Sequence, residues 1–346
     1  MPKVSVISCL YNVESFLKEG RLKDVYSQTF TDWELILVDD GSTDGTSAFC
    51  DNEAARDPRV KVIHKENGGL GSARNAGLDA AMGEYICGFD VDDHLEPNMF
   101  EICVREMDAR GVDVMMFGFR AITPALKLSQ DVHLKETSIE CQEDLRKYYV
   151  ERILLVPNGN GFFWNKCFRR TFVESNKLHF GDERIQQDEI FNIKMLQCVK
   201  SCYLSPEILY NYYIFESGNN RSRFIPNRFD IYKSVYSAFR DLLAKWDLND
   251  TRFEDFLYRR LFAGMNATLR FNLMHPDCNW SKNRKKQEIE RVMNDEDVRE
   301  AISYVENCGL GVEDRLFFKA YRHSSVFFVA SLNYLFFCLR YVKHLF

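Results

Sequence analysis

The sequence predicts an α/β protein built on a mostly parallel central sheet flanked by helices, followed by a helical C-terminal region. Three observations carry that expectation. Short runs that are apolar throughout alternate with amphipathic stretches from Val4 to Phe119, the pattern of right-handed βαβ units whose strands are covered on both faces. Polar and glycine-containing turns follow directly on the apolar runs, where an open parallel sheet binds its ligands. Beyond about residue 226 the strand-like runs stop and helical spacing takes over.

Val4 to Leu10 reads as a buried strand, and Phe16 to Gln28 has helical spacing through Leu17 and Val25. Trp33 to Val38 is a second strand. It leads into Asp39-Asp40-Gly41-Ser42-Thr43-Asp44-Gly45, where Ser42, Thr43 or Asp44 could cap a helix running towards Arg56. Val60 to His64, Gly71 to Ala81, Glu84 to Phe89, Pro97 to Ala109 and Val112 to Phe119 continue as strand, helix, strand, helix, strand. The pattern then loosens. Ala121 to Glu143 is mixed and polar, as expected of an excursion over the surface. Leu145 to Leu155 and Asp188 to Lys200 are helical, Trp164 to Phe172 is aromatic and basic, and Glu207 to Phe215 is a tyrosine-rich strand.

Composition narrows the class. Of 346 residues 46% are hydrophobic and 28% charged, a globular balance with room for a large core. Lys+Arg 45 against Asp+Glu 51 leaves a net charge of -6 without a long basic tract, which argues against nucleic acid as a partner. The 11 cysteines are scattered and odd in number. Cys198 and Cys202 have no second pair to complete a zinc site. With a start that moves straight into a strand, reduced thiols in the cytoplasm are the economical expectation.

Four strand ends carry distinctive groups: Cys9-Leu10-Tyr11-Asn12, Asp39-Asp40-Gly41-Ser42, Asn67 to Asn75, and Asp90-Val91-Asp92-Asp93. Polar groups at successive strand ends converge on one cleft. Three carboxylates this close repel one another, and hard divalent cations take such oxygen ligands alongside substrate phosphates. The trio Asp90, Asp92 and Asp93 is therefore a candidate seat for a divalent metal. Gly69-x-Gly71 before a helix is unlike a dinucleotide fingerprint, because Arg74 stands where a third glycine belongs. An arginine at a helix start suits a phosphate or a nucleobase edge. His133 and His179 stand alone and are left out of the site.

The series Val4 to Asn12, Val38 to Thr46, Gly68 to Gly77 and Phe89 to Asp93 resembles, in the same order, family 2 glycosyltransferases of the GT-A fold. Trp164-Asn165-Lys166, Gln187-Asp188-Glu189-Ile190-Phe191 and Tyr210-Asn211-Tyr212-Tyr213 extend the resemblance more loosely. The resemblance implies that Tyr11 lies against a uracil ring, Asp39 accepts from the uracil N–H and Arg74 stands near base and phosphates, with Asp40 in the same nucleotide-sugar site. Asp90 and Asp92 are similar to the DxD pair, one towards the sugar and one on the metal. Asp93 would touch the donor sugar. Asp188 resembles the catalytic base, with Glu189 as the alternative if the register slips by one residue. Gln187 replaces the acidic neighbour usual in the family. Trp164 and Lys166 would shape the acceptor side, as aromatic faces suit sugars.

The implied activity is metal-dependent (Mn²⁺ or Mg²⁺), inverting transfer of one sugar from a nucleotide sugar, a UDP-sugar above all, to a glycan or lipid-linked acceptor in surface polysaccharide synthesis. The chain lacks a Gln-x-x-Arg-Trp signature and a transmembrane set, so single addition is expected over polymerisation. A sugar-phosphate nucleotidyltransferase would want a Gly-rich basic loop after the first strand, where Tyr11-Asn12 stands. A non-catalytic nucleotide-sugar-binding protein would keep the fold without needing Asp92 and Asp188. Residues 1–225 are expected to form the catalytic domain, with a nucleotide-sugar half to about 120 and an acceptor half after it; 226–346 would be the helical region. Val326 to Leu339 is strongly apolar with basic flanks. It reads either as a core helix or as an interfacial helix on the inner face of the membrane, within a segment 316–346.

Overall fold

The computed structural model describes residues 1–150, 161–215, 224–248, 250–309, 311–323 and 325–343, with backbone alone over 337–343. The chain divides into two compact units, Met1–Gly218 and Asn219–Phe346.

The first unit opens with the expected alternation. β1 (Val4–Leu10) is followed by two short helices, α1 (Glu14–Lys18) and α2 (Lys23–Tyr26). One continuous helix was the expectation here. Gly20 adopts φ +83°, a left-handed conformation that ends α1 and turns the chain. Next come β2 (Trp33–Asp39), α3 (Thr46–Arg56), β3 (Val60–His64), α4 (Leu70–Ala80), β4 (Tyr85–Gly88), the two-residue β5 (His94–Leu95) and α5 (Met99–Arg110). Strands β3, β2, β1 and β4 lie side by side in parallel. Every residue of β2 is buried, including Glu34, which is paired with Ser5 and Lys61.

The later elements depart from the simple parallel scheme. β6 (Val114–Thr123) runs past Phe119 into the stretch expected as an excursion, and β7 (Leu128–Val132) folds back on it in antiparallel register. Lys127 at φ 52° closes the turn, and Arg120 pairs with Asp131 across the ladder at 2.7 Å. β7 is exposed over most of its length, which is why its composition is polar and carries no strand signal. β8 (Thr137–Ile139) and α6 (Gln142–Tyr149) follow. The rest of the helix expected to Leu155 lies largely outside the described residues.

β9 (Lys166–Arg169) then enters between β4 and β6, antiparallel to both. After α7 (Arg170–Ser175) and α8 (Gln187–Cys198), β10 (Cys202–Tyr213) pairs in parallel with β6 and carries β8 and β5 antiparallel. The sheet is therefore mixed. An apolar core including Leu35, Cys87, Phe89, Met99, Phe117 and Cys167 packs within this unit.

The second unit is helical: α9 (Arg228–Lys245), α10 (Thr251–Asn266) running into a π-helical turn (Ala267–Asn272), α11 (Lys282–Met293), α12 (Glu296–Cys308), α13 (Val312–Arg322) and α14 (Val326–Lys343). It has its own core around Leu261, Met265, Ile289, Phe317 and Tyr321. Val329 of α14 is buried in that core, while Phe327, Phe328, Tyr334 and Leu335 are exposed. Among the described residues no helix is long and apolar enough to cross a membrane.

Candidate active site

The strand ends hold one another in place before any ligand is considered. Asn12, at φ 53°, donates from its backbone to the Ser42 hydroxyl at 3.0 Å, and its side chain accepts from the Thr43 N–H at 2.8 Å. Tyr11 beside it stays 44% exposed, a ring free to receive a planar partner. Gly41 turns at φ +74°, where a Cβ would stand 2.8 Å from the Asn67 backbone nitrogen, so the close approach of the second and third strand ends at this point requires glycine.

Asp39 and Asp40 are both buried but do different work. Asp39 accepts from the Ser42 N–H at 3.0 Å, the Ser47 hydroxyl and His64 Nδ1 at 2.9 Å. Burial opposes its charge, yet these donors outweigh it and bring the carboxyl down to about 2. His64 also meets Asp51 and is pushed upward by the two carboxylates. Asp40 accepts from Lys65 Nζ at 2.6 Å and from the N–H groups of Gly68 and Gly69 at 2.9 and 2.8 Å. It braces the loop that starts α4.

The acidic turn splits three ways. Asp93 is 1% exposed, and its oxygens accept from the Tyr210 hydroxyl at 2.9 Å and the Tyr213 N–H at 2.7 Å. Both oxygens are engaged inside the fold, so Asp93 ties the turn to β10. Burial, with Asp92 and Asp90 nearby, pushes its carboxyl well up. Asp92 remains partly exposed, and burial raises it too. Asp90 is pushed up to about 6 by burial, against Arg74 and with Asp92 and Asp188 adding to the rise. Carboxylates crowded into this state favour a cation.

Arg74 is 3% exposed and meets Asp188 in a close ion pair, with Asp90 at 3.5 Å. Its guanidinium lies 5.5 and 5.3 Å from the rings of Phe163 and Phe180. It bridges two carboxylates from inside the protein. Asp188 is the second residue of α8, after Gln186 at φ 63°, and also accepts from the Phe163 N–H at 3.3 Å. Glu189 is 8% exposed and is not the residue that meets Arg74.

Trp164 and Lys166, expected on the acceptor side, are both buried. Trp164 is 2% exposed and stacks between Tyr210 and Phe162 at 4.2 and 4.5 Å. Lys166 has no exposed surface. Neither can offer a face to a sugar from where it stands. Two contributors escaped the sequence reading. Tyr210 joins the acidic turn through Asp93 and accepts from the Asp90 N–H at 3.2 Å, and Arg21 contacts His94 and attracts Asp92. Tyr210 belongs to a tyrosine-rich strand visible in the sequence; Arg21 follows Gly20 with no pattern to mark it.

Among the described residues the one cluster of three metal-capable side chains is Cys87, Cys103 and Cys167. All three lie within the apolar core. The acidic turn by itself forms no three-ligand cage, so a cation there would need further oxygens from a ligand. Ten cysteines are free and no disulfide occurs among the described residues.

A mixed sheet with helices on its faces and acidic groups at the strand ends is the GT-A architecture. Residues 5–174 match the family described as glycosyl transferase family 2. It is 32% identical over 220 residues to EpsH of Bacillus subtilis, whose name assigns it provisionally to the glycosyltransferases; the match covers 63% of this chain and 62% of EpsH. It is 28% identical over 226 residues to the succinoglycan biosynthesis protein ExoO of Rhizobium meliloti, covering 64% and 63%. The chain thus spans about six-tenths of the length of these curated relatives. Among solved structures, S. aureus TarS 1–349 in complex with UDP-GlcNAc superposes with a TM-score of 0.62 over 96% of this chain and 91% of that one, at 19% identity, a likeness of fold.

Proposed function

We propose that the protein is a metal-dependent, inverting glycosyltransferase that moves one sugar from a nucleotide sugar, with a UDP-sugar the first choice, to a glycan or lipid-linked acceptor in polysaccharide biosynthesis. The observation that carries this is the meeting of Asp90, Arg74 and Asp188 at one place, at the end of β4, with the exposed Tyr11 and the ionised Asp39 at the ends of β1 and β2 in the same parallel run of strands. ExoO, named for succinoglycan biosynthesis, and TarS, solved with UDP-GlcNAc, support the product class and the donor.

In this reading Tyr11 stacks on the base and Asp39 accepts from its ring N–H, relinquishing one of its internal donors. Asp92 and Asp90 fit Mn²⁺ or Mg²⁺ by donor chemistry, since hard cations are bound through one or two carboxylates plus substrate phosphates. Such an ion supplies Lewis-acid stabilisation of the departing diphosphate. Asp188 takes the proton of the acceptor hydroxyl as its oxygen bonds to the anomeric carbon, while the bond from that carbon to the diphosphate oxygen breaks. One carboxylate opposite the leaving group gives a single displacement and inversion. Arg74 holds Asp188 and Asp90 in fixed relation, which orients the base.

The exposed aromatic side of α14 supports peripheral contact with a membrane, and with it a cytoplasmic protein working at the inner face. The direct test is a panel of UDP- and GDP-sugars, with Mn²⁺ or EDTA, scored for binding and donor hydrolysis. UDP-sugar binding with EDTA-sensitive hydrolysis is expected. No binding, or indifference to EDTA, would sink the reading.

A further inference from the structure

The peptide bond between Phe162 and Phe163 is held at both ends. Its carbonyl oxygen accepts from Lys166 Nζ at 2.5 Å and from Asn192 Nδ2 at 3.1 Å. Its N–H donates to Asp188 Oδ2 at 3.3 Å. Lys166 also donates to Asn165 Oδ1 at 2.9 Å. Phe162 is fixed from one side by its stack on Trp164, and Phe163 from the other by Phe168, Phe180 and Phe191 at 5.2 to 5.5 Å. The peptide plane is wedged between two aromatic groups, so it transmits a pull at one end to the other.

We propose that Lys166 is a positioning residue for Asp188, acting through the Phe162–Phe163 peptide. The inference rests on Asp188 being the base. Donors on a carbonyl oxygen draw electron density from the amide and make its N–H a stronger donor, and hydrogen bonds in series polarise one another. With Oδ1 held by Arg74 and Oδ2 by this strengthened N–H, the carboxylate cannot swivel. Its remaining lone pairs face one direction, as a proton acceptor for a bound hydroxyl requires. A fully buried ammonium is costly to the fold, and an apolar side chain of the same length would fill the space without that cost. Burial brings this lysine down to about 7, with Asp188 pulling it back up, so its charge and the carboxylate are felt by each other.

The test follows the Phe163 amide resonance in ¹⁵N-labelled full-length protein, beside UDP affinity and donor-hydrolysis kinetics. In Lys166→Met the Phe163 amide proton should move upfield. UDP affinity should stay within about twofold, and kcat should fall about tenfold with KM for the donor unmoved. Lys166→Gln retains an N–H donor and should lie between Met and wild type. An unmoved Phe163 resonance in Lys166→Met overturns the proposal. So does a Gln variant that matches Met in resonance and kcat. If Lys166→Met does not fold, Asn192→Leu removes the second donor on the same carbonyl. It should shift the resonance the same way by less, and no shift is equally fatal. Should Asp188→Asn keep full turnover while the Lys166 variants move the amide, the base assignment fails and the link remains.

Discussion

Arg74 and Asp188, 114 residues apart in sequence, form an ion pair whose guanidinium also stands 3.5 Å from Asp90. Burial works against the arginine's charge, but Asp188 and Asp90 together hold its pKa above the ordinary value. Removing one partner of a buried charge pair strands the other. Arg74→Met should therefore cost about 2–3 kcal/mol, discounted because Asp90 and Asp188 keep 30% and 19% of their side-chain surface. Urea unfolding checks it, and a loss well under 1 kcal/mol would remove the bridging role.

Asp188→Asn keeps the shape and a hydrogen-bonding oxygen but cannot take a proton at neutral pH. Sugar transfer should fall by about 10²- to 10⁴-fold with nucleotide-sugar affinity retained. Steady-state turnover beside calorimetric UDP-sugar binding separates the two effects.

Asp92→Ala should raise the Mn²⁺ concentration needed for half-maximal hydrolysis by about tenfold or more, since it would remove one of the two proposed protein ligands. Asp93→Asn should instead show itself in stability, because both Asp93 oxygens are used by β10. A manganese titration that is unchanged in Asp92→Ala but shifted in Asp93→Asn would reverse these assignments.

Asp39 gives a pH prediction with a definite sign. Its folded carboxyl lies at about 2 against an ordinary 3.8. Between these values the unfolded chain binds more protons, so stability rises with pH there and is lost as pH falls from about 4 to 2. Asp39→Asn should flatten that limb by up to about 2 kcal/mol. Acid unfolding followed by circular dichroism reads it directly.

Phe327, Phe328, Tyr334 and Leu335 share the exposed side of α14 with no acidic residue anywhere in that helix. Flotation with vesicles rich in anionic lipid should retain the protein, neutral vesicles should retain less, and Phe327→Ser with Phe328→Ser should release it. Equal flotation of variant and wild type would assign this surface elsewhere.

Much of the GT-A fold was legible because β1 and β2 are buried, mostly apolar runs, and β3 keeps Val60, Val62 and Ile63 in the same short-strand pattern. The acidic turn was legible because crowded carboxylates are chemically conspicuous. What stayed hidden depended on partners distant in sequence. β7 is polar because it is exposed, and β9 is four residues long, so neither bears a strand's periodicity. Asp40 and Asp93 look like ligands in one dimension, and only Lys65 and Tyr210 reveal them as braces. Trp164 and Lys166 carry sugar-binding chemistry in their side chains, but burial among Tyr210, Phe162 and Asn165 takes it out of reach.

The place of β9 has a consequence for how the molecule can be made. The strand that joins β4 to β6 is supplied by residues 166–169, after both of its neighbours have been synthesised. Until it arrives, two unpaired strand edges stand open in the middle of the sheet, the kind of surface on which chains aggregate. Long-range closure of this sort is slow. A fragment ending near residue 120 would thus be a chain with a missing keystone, and a fission of the gene there should yield two insoluble pieces.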